Sequence, residues 1–392
     1  MRVAIVGQGY VGLPLAIAAA NAGHEVVGID SNPELVSKIL EGKSPIGDLS
    51  DIDIATATSS GRYYASQSFE LLSQAEIVII CVPTPLDPDY NPDLTYLTSA
   101  LTSIAKYLAP GTLVINESTI APGTTRTTIA ELLDTAGVPF DLAYSPERID
   151  PANKAWKVTN TPKLVAGLTD QAAERAASFY RSFIDSVTIG SSLEVIETAK
   201  LLENSFRLIN ISFINEIAQF CTAMQIDVRE VIAAAATKPY GFMPFYPSAG
   251  VGGHCIPVDP KYLSSKADEM GIPSRFIDLA HQINLELPSY FAGVATGKLG
   301  TLKNKSILLV GIAYKPDVKD TRETPAIGLM SALRQAGAEV WWHDDLVQTL
   351  NGESSVALTN THDLAILVNP HSHCDLSLLG ATPVLNTRGG CL

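Results

Sequence analysis

The residue most suited to take part in a chemical reaction is Cys255, in the segment GVGGHCIPVDP of residues 250–260. A cysteine in such a segment serves as a nucleophile, a metal ligand or a small buried residue. Two glycines precede the His254–Cys255 pair. His254 is adjacent, but neighbours in a loop seldom aim at one point, which disfavours a cysteine–histidine hydrolase. The choice among these roles depends on the rest of the chain.

A polar pair, Lys200 and Asn204, lies in the segment ETAKLLENSFRLINISFINEIAQFC. Apolar residues recur there at three- and four-residue spacing, and no proline interrupts residues 191–236. This pattern predicts a helix, on which residues four apart share a face. Apolar neighbours favour a partly buried pair over an exposed one.

Cysteine and histidine spacing predicts no metal site. The segment HSHC, residues 371–374, has no second ligand pair at zinc-finger spacing, and it follows a predicted strand. The cysteines are odd in number and scattered, which indicates no disulfide framework and fits a reducing cytoplasm. They are Cys81, Cys221, Cys255, Cys374 and Cys391.

The first thirty residues predict a dinucleotide-binding turn. The apolar run of residues 2–7 reads as a buried strand, and Gly7, Gly9 and Gly12 follow at G-x-G-x-x-G spacing before an alanine-rich helix. The glycines allow a tight turn, close approach of a pyrophosphate, and close helix–strand packing. A second strand ends in Asp30, where an acid binds ribose hydroxyls and repels a 2′-phosphate. We therefore expect NAD rather than NADP, with a structural glycine turn as the alternative.

Polar residues follow two further predicted strands, at residues 76–85 and 112–120. Ligands gather at the carboxyl ends of parallel strands, so Thr84, Ser118 and Thr119 are expected to line the cofactor crevice. Helix N-capping is the alternative role for such residues.

Two charged loops are candidates for ligand contact. Residues 142–153 read as a strand that runs into a loop carrying Glu147 and Arg148, with a solvated charged loop as the alternative. Near the C-terminus a second strand–loop–helix–strand unit lacks the glycine signature, and its loop carries lysines and Arg322 instead. Cationic side chains there suit a phosphate-bearing ligand. A solvated loop whose charge is balanced by Asp317, Asp320 and Glu323 is the alternative.

Composition predicts a multidomain globular protein. The chain has 392 residues, 46% hydrophobic and 17% charged, with a net charge of −14. The charge and the lack of a basic run argue against nucleic-acid or anionic-membrane partners, and no apolar stretch is long enough to predict a membrane span. We predict an α/β protein with two Rossmann-like domains joined by a central helical region, divided as residues 1–190, 191–300 and 301–392.

Taken together, the motifs resemble those of the nucleotide-sugar 6-dehydrogenases, nearly from end to end. They are GQGYVGLPLA, VPTPL, ESTIAPGTT, SPERIDP, AKLLENSFR, GVGGHCIPVDP, GIAYKPDVKDTRETPA and NTRG. The resemblance implies an N-terminal NAD-binding domain, a central helical dimerisation region and a C-terminal UDP-binding domain. It also implies a cytoplasmic homodimer or higher homo-oligomer with a UDP-sugar substrate.

In this family the C6 alcohol of the sugar is oxidised to a carboxylate with two NAD⁺. The resemblance makes Cys255 the nucleophile that captures the aldehyde, and Asp259 the residue that orders water and assists as a base. Lys200, with Asn204 beside it, would stabilise an oxyanion. Thr119 would position water, and Glu147 would serve thioester hydrolysis.

The resemblance also implies two sets of ligand contacts. The expected cofactor contacts are Gly7, Gly9, Tyr10, Val11, Gly12, Asp30, Thr84, Ser118, Thr119 and Arg322. The expected substrate contacts are Glu147, Arg148, Lys200, Asn204, Arg207, Tyr246, Gly252 and Lys315.

The sugar is indicated by departures from the UDP-glucose branch, which has GGSC, a K-Y-x-x-N-A helix motif and an upstream arginine. This chain has GGHC, KLLENSFR and the arginine-free loop TKPYGFMPFYP, which resemble the UDP-N-acetylglucosamine branch. The UDP-N-acetylmannosamine branch also has GGHC, with alanine at the proline of CIP. UDP-glucose and UDP-N-acetylmannosamine remain alternatives. An inactive nucleotide-binding regulator is the alternative of another class, which retention of the catalytic set disfavours.

Overall fold

The computed structural model describes residues 1–47, 49–150, 153 and 155–389, so Cys391 lies outside the described residues. The chain divides into two compact units. The first comprises Met1–Leu202 and Ser265–Met270, and the second comprises Glu203–Ser264 and Gly271–Leu392. The division falls inside a helix, and the predicted three-part boundaries stay a prediction.

An eight-stranded sheet forms the centre of the first unit, in the order β3-β2-β1-β4-β5-β6-β7-β8. Its strands are β1 Arg2–Val6, β2 Glu25–Ile29, β3 Tyr63–Ser66, β4 Ile77–Ile80, β5 Leu113–Asn116, β6 Asp141–Tyr144, β7 Lys163–Gly167 and β8 Val187–Ile189. All neighbours are parallel except β6 and β7. Most central strands are apolar and buried along their length, as strands covered on both faces must be. The predicted Rossmann-like arrangement is confirmed.

Helices cover this sheet and begin at recognisable caps. The helices are α1 Gly12–Asn21, α2 Pro33–Leu40, α3 Asp51–Ser59, α4 Thr95–Ala105, α5 Ala130–Asp134 and α6 Asp170–Arg181. A 3₁₀ turn, Phe69–Gln74, precedes β4, and a π-helical turn, Thr125–Ile129, leads into α5. The Asn32 side chain accepts the first N–H groups of α2, and Ser50 forms a capping box with Asp53 at α3.

A 31-residue helix, α7 Leu193–Ala223, contains the division between the units. It has no glycine or proline, which permits such a length. Three helices follow: α8 Val228–Ala236, α9 Asp259–Glu269 and α10 Arg275–Leu299. No helix in the described part of the chain is long and apolar enough to span a membrane.

The second unit contains a parallel four-stranded sheet in the order β10-β9-β13-β14. Its strands are β9 Ser306–Val310, β10 Glu339–His343, β13 Leu364–Leu367 and β14 Val384–Asn386, with a small hairpin of β11 Thr349–Leu350 and β12 Glu353–Ser354. Helix α11, Pro325–Gln335, joins β9 to β10 and is capped by Thr324. This is the predicted second Rossmann-like unit.

Candidate active site

The glycine turn after β1 has the geometry of a dinucleotide cradle. Gly7 has φ +93°, and a Cβ there would lie 2.5 Å from the carbonyl oxygen of Cys81. A Cβ on Gly12 would lie 1.9 Å from the carbonyl oxygen of Gly7, so the helix packs against the turn. At Gly9, by contrast, a Cβ would meet no atom within 4 Å. The turn is closed where the backbone must pack and open where a pyrophosphate would approach, which fits NAD.

Asp30 lies just beyond β2, beside this turn. Its carboxylate accepts hydrogen bonds from the backbone N–H of Gln8 at 2.7 Å and of Asn32 at 2.9 Å. Gln8 is itself buried, and its side-chain oxygen accepts a hydrogen bond from Tyr63 at 2.7 Å. The half-buried carboxylate is thereby held at the edge of the turn, where sequence reasoning expects it.

The predicted residues that follow β4 and β5 lie at neighbouring strand ends, because these two strands pair. Ser118 is buried, and its hydroxyl donates to the carbonyl oxygen of Val82 at 2.7 Å, which ties the two strand ends together. Thr84 and Thr119 are half-buried at the same edge. Tyr10 and Val11 lie in the turn before α1.

Glu147 belongs to a charged cluster that sequence reasoning missed. Lys163, at the start of β7, lies 2.8 Å from Glu117 and 3.6 Å from Glu147, and its side chain is only 7% exposed. Tyr180 on α6 donates a hydrogen bond to Glu117. The Glu147 carboxylate also accepts backbone N–H groups from Arg148, at 2.7 Å, and from Ile149. Glu117 stands directly before the predicted Ser118, but no spacing in the sequence links it to Lys163.

Burial and charge determine the ionisation of this cluster. Burial raises the pKa of the Glu117 carboxyl, against the opposing effect of Lys163. Burial works against the charge on Lys163, but Glu117 and Glu147 outweigh it and raise the pKa of the ammonium group. Burial also raises the pKa of the Cys81 thiol well above its ordinary range. Cys81 is therefore an unreactive thiol.

Helix α7 carries the predicted Lys200 and a further acid, Glu197. The Glu197 carboxylate is buried and accepts backbone N–H groups from Gly123 at 2.6 Å and Thr125 at 3.0 Å. It thus holds the segment after β5 against α7. Lys200 and Asn204 lie one turn apart and are 6% and 9% exposed, so the pair is buried as its spacing and neighbours predict.

The cysteine loop leads directly into α9. The carbonyl oxygen of Cys255 accepts the N–H of Asp259, the first residue of that helix, at 2.8 Å. The Asn204 amide donates to the Asp259 carboxylate at 2.6 Å. A predicted catalytic amide and acid therefore meet beside the start of the helix that Cys255 precedes.

Both glycines before the cysteine are required by close packing. A Cβ on Gly252 would lie 2.6 Å from the carbonyl oxygen of Glu323, and one on Gly253 would lie 2.9 Å from the Tyr314 ring. The Gly253 N–H also donates to the carbonyl oxygen of Arg322 at 3.0 Å. The cysteine loop thus rests on the polar loop that follows β9.

The remaining predicted contacts in the second unit are polar groups at or near its surface. Arg322 forms a bidentate ion pair with Asp320, and the Lys315 ammonium lies 5.9 Å from the centre of the Tyr314 ring. Arg207 is exposed on α7. Tyr246 is also exposed, and no described contact joins it to Arg207. In the first unit, the Arg148 guanidinium donates to the carbonyl oxygen of Pro162 at 2.7 Å.

These features define a class, a dinucleotide-binding α/β protein with a cysteine-bearing loop. Models of the UDP-glucose/GDP-mannose dehydrogenase family match along the chain: the NAD binding domain at residues 1–184, the central domain at 194–286 and the UDP binding domain at 308–374. The chain belongs to the UDP-glucose/GDP-mannose dehydrogenase family.

Individual relatives agree. The UDP-N-acetyl-D-mannosamine dehydrogenase of Pyrococcus horikoshii is 35% identical over 382 residues, 92% of this chain and 90% of that protein. The UDP-N-acetyl-D-glucosamine 6-dehydrogenase of Pseudomonas aeruginosa is 34% identical over 391 residues, covering 95% and 91%. A solved structure of the P. horikoshii UDP-D-ManNAc dehydrogenase has a TM-score of 0.89 at 32% identity, covering 99% of this chain and 95% of that one. The chain is thus an NAD-dependent UDP-sugar 6-dehydrogenase.

Proposed function

We propose that this enzyme oxidises the C6 hydroxyl of UDP-N-acetylglucosamine to a carboxylate, forming UDP-N-acetylglucosaminuronate. The observation that carries the choice of sugar is the cysteine loop with its GGHC motif, preceded by the arginine-free segment of residues 237–247. The Pseudomonas aeruginosa relative, whose name specifies this sugar, supports it.

UDP-N-acetylmannosamine is the second candidate. The Pyrococcus horikoshii relative and its solved structure carry that sugar in their names. The two sugars share the C6 alcohol and the acetamido group, and they differ only in configuration at C2. Discrimination between them therefore depends on contacts away from the reacting carbon.

In the proposed chemistry NAD⁺, when bound, supplies the hydride acceptor for each of two oxidations. After the first, the Cys255 thiolate adds to the aldehyde carbon, the carbonyl electron pair moves to oxygen, and that oxyanion takes up a proton to give a thiohemiacetal. Loss of a hydride and the hydroxyl proton then leaves a thioester. Water attacks the thioester, the carbon–sulfur bond breaks, and Cys255 departs as a thiolate.

Other side chains implied by the family resemblance have supporting roles in this proposal. Asp259, held by the Asn204 amide at 2.6 Å, orders water and acts as a base. Lys200 stabilises the oxyanion, and Thr119 positions water. Glu147, held by two backbone N–H groups, serves thioester hydrolysis. A cytoplasmic location and a homodimer or higher homo-oligomer complete the proposal.

A panel of UDP-sugars tests the assignment through NADH absorbance and mass spectrometry of the product. We expect two NADH for each sugar acid, and kcat/KM for UDP-N-acetylglucosamine to exceed that of the other sugars by at least about tenfold, or ~1.4 kcal/mol. A preference for UDP-N-acetylmannosamine would establish the second candidate. A tenfold preference for UDP-glucose would refute the branch assignment. No turnover of any UDP-sugar on the panel would refute the sugar assignment.

A further inference from the structure

A cluster of metal-binding side chains lies at the carboxyl end of β10, in the second unit. The ligand atoms of His343, Asp345 and Cys374 all lie within 4.8 Å of one another. His343 is the last residue of β10, whereas Cys374 lies in the turn that follows β13. No second pair of ligands lies near the HSHC segment in the sequence, but the fold places His343 and Asp345 beside it.

A hydrogen bond orients the first of these ligands. His343 Nδ1 lies 2.6 Å from the carbonyl oxygen of Val356, which only accepts, so Nδ1 carries the hydrogen. In the neutral ring Nε2 then has a lone pair, and it lies 3.2 Å from a carboxylate oxygen of Asp345. Two electron pairs that face each other require a proton or a cation between them. Metal-binding histidines are held by such a bond at the other ring nitrogen.

The second carboxylate oxygen of Asp345 gives an independent indication. Oδ2 is buried and has no hydrogen-bond partner among the described residues. A buried acceptor without a partner is costly and calls for an explanation. The nearby His373 Nε2 is 3.8 Å away, beyond hydrogen-bond distance. A cation within the cluster would satisfy this oxygen.

The local charge also favours a cation. The Cys374 thiol is hydrogen-bonded to the Asp345 carboxylate and lies in the field of the negative charges of Asp345, Asp344 and Asp375. The same negative field attracts a divalent ion. On binding, the thiol proton leaves to solvent and the sulfur becomes a thiolate ligand.

We propose that His343, Asp345 and Cys374 bind a zinc ion. A nitrogen, an oxygen and a sulfur ligand suit zinc, whereas Mg²⁺ and Ca²⁺ prefer oxygen ligands alone. Ligand bonds of about 2.0–2.3 Å require the three atoms to move inward by about an ångström at most. The exposed His373 lies outside this three-residue cluster, but its Nε2 is 3.8 Å from Asp345 Oδ2, which makes it the candidate for a fourth ligand.

His371 is not a ligand, because both of its ring nitrogens are engaged. Nδ1 accepts the backbone N–H of Asp317, and Nε2 contacts Asp344, each at 2.8 Å. The Asp317 carboxylate in turn accepts the N–H of Ser372 at 2.8 Å. A zinc ion at Cys374 would thus brace the turn that supports the Lys315–Arg322 loop. The site is structural and goes beyond the proposed function.

The test uses the full-length, tag-free protein, treated with a chelator and titrated with Co²⁺ alone. We expect tetrahedral visible bands and a thiolate-to-cobalt charge-transfer band that saturate at equimolar Co²⁺ and are bleached by Zn²⁺. Cys374→Ser should abolish the charge-transfer band. Asp345→Asn and His343→Gln should each weaken Co²⁺ binding at least about tenfold, and His373→Ala less severely.

Two variants control for other thiols and imidazoles. Cys255→Ser and His362→Asn should keep the charge-transfer band, and circular dichroism establishes that every variant is folded. Absence of the band in the wild type overturns the proposal. So does a band that survives Cys374→Ser or disappears with Cys255→Ser. Because the readout is metal binding, failure of the sugar assignment would leave this result unchanged.

Discussion

Single residues at equivalent places in the two sheets have different roles. Asp30 and Asp344 each follow the second strand of a Rossmann-like unit, and each accepts a backbone N–H from the turn after the first strand. Asp344 is fully buried and is also bonded by His371 and by the backbone of Val347. The hydrogen-bonding capacity of the Asp344 carboxylate is therefore used within the protein. Asp30 is only half-buried, which is consistent with its predicted role in binding a ribose of NAD.

Asp30 should determine the preference for NAD⁺ over NADP⁺. Asp30→Ala removes hydrogen bonds that a carboxylate makes, so we expect KM for NAD⁺ to rise on the order of tenfold to a hundredfold. The difference in kcat/KM between NAD⁺ and NADP⁺ should narrow. Steady-state kinetics with both cofactors measures this. Glu25→Ala, at the exposed opposite end of β2, is the matched control and should change neither value. Equal kcat/KM for both cofactors in the wild type would contradict the prediction.

Cys255→Ala tests the covalent chemistry. Sugar-acid formation should fall by several orders of magnitude because no sulfur captures the aldehyde, while NAD⁺ and UDP-sugar binding persist. Added aldehyde should still be reduced by NADH, since that reverses the first oxidation without the thiol. Cys221→Ala, at a buried cysteine of the same unit, should keep two NADH per acid. Near-wild-type acid formation by folded Cys255→Ala would exclude the nucleophile.

At the level of elements, buried charged side chains connect the ends of separate strands in the first unit. Lys163 on β7 bonds Glu117 after β5, and Tyr180 on α6 bonds the same carboxylate. Since β6 separates β5 from β7, these bonds fasten three strands and a helix at one edge of the sheet. Glu147 is held there by the same lysine.

Lys163→Met should therefore destabilise the first unit by about 3–5 kcal/mol, because it leaves a buried carboxylate without its cation. Burial already raises the pKa of Glu117 above its ordinary 4.5. A protein that contains a carboxyl with a raised folded-state pKa becomes less stable as the pH rises. The loss of stability caused by Lys163→Met should therefore grow from acidic to alkaline buffer. Thermal unfolding across this range measures it.

The double variant Lys163→Met/Glu117→Gln is the control for unpaired charge. Removing the carboxylate should restore most of the lost stability and remove the added pH dependence. If the double variant is as unstable as Lys163→Met alone, lost packing rather than buried charge is responsible.

At the level of the whole molecule, α7 presents an apolar row that predicts self-association. Phe206, Phe213 and Phe220 recur at seven-residue spacing and are 44%, 58% and 60% exposed in the single chain. Exposed aromatic residues in one row on a long helix are typical of an interface. A second copy of α7 presents the same apolar row, so we expect a homodimer.

Phe213→Asp should weaken this association on the order of a hundredfold or more, because it places a charge at an apolar interface. Sedimentation velocity measures the change. Thr222→Asp adds the same charge to an exposed position of α7 outside the row and should leave the dimer intact. A wild-type monomer at micromolar concentration, or a dimer that tolerates Phe213→Asp, would contradict the prediction.

The sequence by itself determined the features that are local along the chain. The glycine turn, Asp30, the two Rossmann-like units, the buried Lys200–Asn204 pair and the cysteine loop were all predictable. Each depends on residues close in sequence, whose period and turn chemistry specify local structure.

Only the tertiary structure decided which distant residues meet. Glu117 and Lys163 are 46 positions apart, and His343 lies on a different strand from the one that precedes Cys374. The order of strands in a sheet determines such meetings, and spacing along one chain does not encode that order. The sequence therefore predicted the reaction, whereas the fold revealed the buried charge cluster and the proposed zinc site.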